Sequence, residues 1–164
     1  MRILKVSPLV AFLVVCLTAM FPQAGLAQCP DVDIGTWKVN LAKSTYSPGP
    51  PPKNPAMTRI ERAGQGFMVI SIGVNAEGKP TETVLFTANC DGKDYPLAGS
   101  QVADTVALRR IDAYTLERID KKAGKLVGTT TFVFSKDGKT RTLTTKATNA
   151  KGAPINNVVV SEKQ

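Results

Sequence analysis

The sequence predicts an all-β fold: an antiparallel up-and-down meander closing into a barrel of about 8–10 strands, behind an N-terminal signal helix. Three observations carry this expectation. Turn signals recur along the chain at 75–78, 91–92, 122–124, 136–138 and 149–152, each ending on a glycine. The runs between them alternate apolar and polar residues with a period of two and are rich in threonine, valine and isoleucine, as suits a half-buried pleated surface. After residue 28 no apolar stripe recurs with a 3.6-residue period over helical length.

The first element in order is an export segment. Arg2 and Lys5 precede an uncharged apolar run over 9–17, which is followed by Pro22 and the small-residue stretch Ala24-Gly25-Leu26-Ala27. This order reads as a secretory signal peptide cleaved after Ala27, and so as a periplasmic or secreted product. A retained anchor needs ~20 predominantly apolar residues, longer than this run, so stable membrane insertion is not expected. Leu26-Ala27-Gln28-Cys29 approaches a bacterial lipoprotein box, but Gln28 is not the small residue that lipid processing requires. The expected organisation is thus a signal peptide over 1–27 and a single domain over 28–164. Removing 27 of the 164 residues leaves 137, enough for one self-supporting core.

Cleavage also changes the charge and cysteine counts. Arg2 and Lys5 depart while all 13 acidic residues stay, so 19 basic against 13 acidic residues give a mature charge of +6. The basic residues are interleaved with acids rather than blocked, which reads as a solvated surface and not as a nucleic-acid site. Of the three cysteines, Cys16 leaves with the signal. Cys29 and Cys90 remain, an even pair that in an oxidising compartment suggests a disulfide. Two free thiols, or a lipidated Cys29, are the alternatives.

Candidate strands follow at 33–40, 56–63, 66–74, 80–89, 93–98, 104–111, 113–120, 124–135, 139–148 and 154–162. Val84, Phe86 and Ala88 share one face, as do Leu126, Thr130, Phe132 and Phe134; Leu143 and Ala147 oppose Thr142, Thr144 and Lys146. The segment 41–55 contains Ser47-Pro48-Gly49-Pro50-Pro51-Pro52. Prolines cannot donate to a ladder, so a stiff crossover or mouth-covering loop is expected there.

Gly35-Thr36-Trp37 on the first strand, ahead of an antiparallel meander, resembles the lipocalin and fatty-acid-binding protein superfamily. The resemblance implies a barrel with the tryptophan plugging one end and a small apolar ligand inside. It departs from the fatty-acid-binding proteins in having the proline-rich segment where they place a helix pair. Their late Arg-x-Tyr carboxylate clamp also has no counterpart in 158–162. The longer strings over 35–44, 91–97 and 156–163 are similar to a group of exported bacterial proteins of unassigned function, which implies an address but no activity.

The chain has no histidine, which removes the commonest general base and metal ligand and every Ser-His or Cys-His pair. Asp31 with Asp33, and Asp91 with Asp94, are read as turn caps rather than a calcium loop. No glycine loop has phosphate-cradle spacing, so neither cofactor nor metal is expected. The candidate ligand-binding residues are Trp37, read first as a core plug and second as a stacking wall, Tyr95, and Arg110, which shares parity with Val106 and Leu108. The expected function is non-enzymatic binding of a small, partly apolar or anionic molecule. The rival is a structural or interaction module with a filled interior. A hydrolase or isomerase built on aspartates is a third reading that nothing in the sequence demands.

Overall fold

The structure, a computed structural model, describes residues 28–75, 77–149 and 152–164. The segment over 1–27, read above as a signal peptide, lies outside the described residues. Ten strands form: β1 (Gly35–Thr45), β2 (Met57–Ala63), β3 (Gly66–Val74), β4 (Pro80–Ala88), β5 (Tyr95–Ala98), β6 (Thr105–Arg110), β7 (Thr115–Lys122), β8 (Lys125–Phe134), β9 (Thr140–Thr148) and β10 (Pro154–Lys163). Each pairs antiparallel with its chain neighbours, and β1 pairs with both β2 and β10, closing the barrel. Closure leaves no sheet edge for a stray strand to extend. Among the described residues the only helical element is a 3-10 turn, Asp31–Asp33, and no helix is long and apolar enough to cross a membrane.

The expected meander forms because the turns are locally encoded. At β7–β8, Lys122 faces Lys125 across Ala123 and Gly124, with φ of 48° and 74°. Two consecutive positive φ values make the tight hairpin turn whose twist matches its flanking strands.

Two local expectations are overturned. β1 runs to Thr45, well into the segment expected to be loop, because side chains satisfy an irregular stretch of its backbone. Ser44 Oγ donates to the Asn40 carbonyl and accepts from Val160 N–H, and Asn40 Oδ1 accepts from Lys43 N–H. On β8, Leu126 was expected on the face of Thr130, Phe132 and Phe134. A register shift between Asp120 and Lys121 breaks the alternation there, and Leu126 is 63% exposed. A bulge re-aims the side chains on one side of it.

The barrel's base is closed by the N-terminal segment over 28–34, which crosses the strand ends as a strap. Cys29 bonds to Cys90, which follows β4, with Cα atoms 5.1 Å apart. Cys29 N–H donates to the Gln65 carbonyl in the β2–β3 turn. Arg62 pairs with Asp31, and Arg110 donates to the Gln28 carbonyl at 3.3 Å. From the last strand, Lys163 Nζ donates to the carbonyls of Val32 and Ile34, each at 2.8 Å. At the opposite end, the proline-rich loop between β1 and β2 is tied on both sides. Its Ser47 exchanges hydrogen bonds with Asn156 and Asn157 of β10, and its Asn54 donates to the Asn75 carbonyl in the β3–β4 turn.

Candidate functional site

The inward faces of β2–β4 and β6–β9 leave a cavity of about 120 Å³ above the strap. Its wall is mostly apolar: Phe67 and Val69 from β3, Phe86 from β4, Leu108 from β6, Leu116 from β7 and Phe132 from β8. These positions alternate with outward residues, so strand periodicity turns them to the inside of the barrel. Thr58 and Ser71 add a small polar patch, their hydroxyls 3.1 Å apart across the β2–β3 pair.

Two arginines also face this space. Arg118 of β7 donates from Nε to Asp120 Oδ1 at 2.8 Å, and its guanidinium lies 5.2 Å from the Phe86 ring centroid. Arg141 of β9 is only 2% exposed and sits on the cavity floor. Its Nη1 donates to Asp33 Oδ1 of the strap at 2.7 Å, while its Nε has no partner. The guanidinium lies 4.7 Å from the Trp37 ring centroid and 5.6 Å from that of Phe132. Lys163 Nζ lies 4.8 Å from the Trp37 ring as well.

The electrostatics of the floor follow from burial. Desolvation pushes the Asp33 carboxyl above its ordinary range, against the pull of Arg141 and Lys163. A guanidinium keeps its proton in proteins, so Arg141 remains a fixed positive charge at the bottom of an apolar chamber.

The predicted residues take different places. Trp37 is the plug: 1% exposed, it packs against Phe134 beneath the floor and donates from Nε1 to the Asp33 carbonyl at 2.8 Å. It supports the cavity through Arg141 and is not on its wall. Tyr95 donates its hydroxyl to Asp91 Oδ2 at 3.0 Å, outside the cavity. Arg110 has the inward parity expected of it, but it stands at the end of β6, where Nε donates to the Asp112 carbonyl and Nη1 reaches the strap. Cys29 and Cys90 form the expected disulfide. Of the four aspartates read as turn caps, Asp91 fits, accepting from Lys93 N–H. Asp33 does not: it is a buried ion-pair partner for a strand 108 residues away. Arg118 and Arg141 fall within the candidate strands at 113–120 and 139–148 but were passed over in favour of Arg110, although each shares strand parity with an apolar cavity residue, Leu116 and Leu143 respectively.

No family model matches the chain, and no curated protein matches it significantly. Among solved structures it is similar to zebrafish ileal bile acid-binding protein complexed with cholic acid. The identity is 15% and the TM-score 0.49, over 81% of this chain and 99% of that one.

Proposed function

We propose that this is an exported, non-enzymatic binding protein that holds a small, partly apolar molecule inside its barrel. The observation that carries the reading is the cavity itself, where aromatic and aliphatic walls meet a few fixed polar groups, the usual make-up of a ligand site. The disulfide supports the exported address, since such bonds persist in oxidising compartments. The cavity's size supports the rival module with a filled interior, because ligand pockets usually span about 300–1,000 Å³. A chamber of about 120 Å³ instead restricts the ligand to one compact ring or a short chain. An engineered apolar cavity of about 150 Å³ accepts benzene.

Native mass spectrometry of protein recovered from the periplasm or medium of its own cells tests the reading. A retained small molecule, displaced on denaturation, is expected on a chain that begins at Gln28. A uniformly ligand-free spectrum that no small aromatic compound alters would favour the filled-interior module. A chain still carrying residues 1–27 would refute cleavage after Ala27.

A further inference from the structure

We infer that Arg141 is an anion-recognising group and that the cavity takes a compact, single-ring carboxylate. The inference rests on the binding reading above and deepens it.

A guanidinium offers five donors in a planar fork, with one bidentate edge formed by Nε and Nη2. Asp33 takes Nη1 and leaves that edge unused, and Nε is buried without a partner. A buried donor left unmet is costly, and the cost is greater for a charged group. A carboxylate on the Nε–Nη2 edge would meet it with two charge-assisted hydrogen bonds.

Charge points the same way. Asp33 is one carboxylate facing two cations, Arg141 and Lys163, and the Lys163 ammonium is held by two neutral carbonyls. The floor therefore carries an excess positive charge in surroundings of low dielectric, where an anion is favoured. Arg118 does not supply this excess, because Asp120 already balances it. The guanidinium of Arg141 is buried, bonded to Asp33 and within contact distance of the Trp37 and Phe132 rings, so a ligand loses little ordering entropy in using it. Above the floor, Phe67, Phe86 and Leu108 enclose room for one ring.

The test is calorimetric titration of the mature, oxidised protein at neutral pH with three probes of similar shape: benzoate, benzamide and toluene. Benzoate is expected to bind about tenfold or more tightly than either neutral probe, the yield of a charge-assisted pair. In wild-type protein, the buried arginine Nε–H resonance should shift with benzoate and stay in place with toluene. Arg141→Gln alone leaves Asp33 buried without a counter-ion, so the paired variant Asp33→Asn/Arg141→Gln is the better probe. It should lose the benzoate preference and keep toluene binding. Equal affinity for all three probes, or an Nε–H resonance that ignores benzoate, overturns the inference and leaves the binding reading standing. Failure of all three to bind overturns both.

Discussion

Replacing Trp37 with phenylalanine removes one indole N–H and part of the surface on which two cations rest. The Asp33 carbonyl then loses its donor inside the base, and an unmet buried acceptor costs about 1–3 kcal/mol. Trp37→Phe should lower the unfolding free energy by that amount, read as a lower urea midpoint, and an unchanged midpoint would show that the indole is only filler. Gly66 makes a sharper case. A Cβ there would lie 2.1 Å from the Ala88 carbonyl oxygen, which is backbone and cannot rotate away. Gly66→Ala should therefore cost about 1–3 kcal/mol, as over-packing does, read as a lower thermal midpoint. At this scale the sequence was partly legible. Arg110 and Arg141 both share parity with apolar neighbours, yet one ends its strand beside the strap and the other lies under the cavity. Parity assigns a face. It does not assign a depth along the barrel axis, which depends on register with strands far away in the chain.

The strap over 28–34 shows what a segment with a single 3-10 turn and no strand contributes. It has no ladder of its own and is held by ties to β2, β6, β9 and β10 and by the Cys29–Cys90 bond. That bond closes a loop over a separation of 61 residues, worth roughly 4 kcal/mol in the chain-entropy view of cross-links. Reduction, or the Cys29→Ser/Cys90→Ser pair, should lower the thermal midpoint clearly and increase exchange of the Cys29 and Asp33 amides before those of β8 and β9. Equal loss of protection everywhere would mean that the strap unfolds only with the barrel. The strands themselves were readable because each hairpin turn and each alternating run is a local signal. Of the strap only the Cys29–Cys90 tie was readable, since its other partners are remote side chains that no local pattern announces. The outer half of β1 was obscured too, because its irregular backbone depends on Asn40 and Ser44 meeting Val160 of the last strand.

For the molecule as a whole, buried and exposed carboxylates pull its pH response in opposite directions. Burial raises the Asp33 carboxyl above its ordinary value, so the folded protein takes up that proton more readily than the unfolded chain. Its penalty is fully present above the folded-state value and is relieved as pH falls through it. Asp112, Asp137 and Glu162 behave oppositely. A backbone bond from Tyr114 lowers the first, a hydroxyl bond from Ser135 the second, and the Lys43 ammonium the third. At Asp91, desolvation pushes upward, but bonds from the Lys93 N–H and the Tyr95 hydroxyl leave it below the ordinary range. These four stabilise the fold above the unfolded carboxylate values, about 4, and that support is lost as pH falls through the lower folded ones. The thermal midpoint should therefore rise as pH is lowered from neutrality through the raised Asp33 value, then fall below about 4. Scanning calorimetry across that range decides the matter. A midpoint falling steadily from neutrality would mean that the buried pair gains more from its mutual attraction than it loses by desolvation, and a flat acid limb would remove the surface bonds from the account.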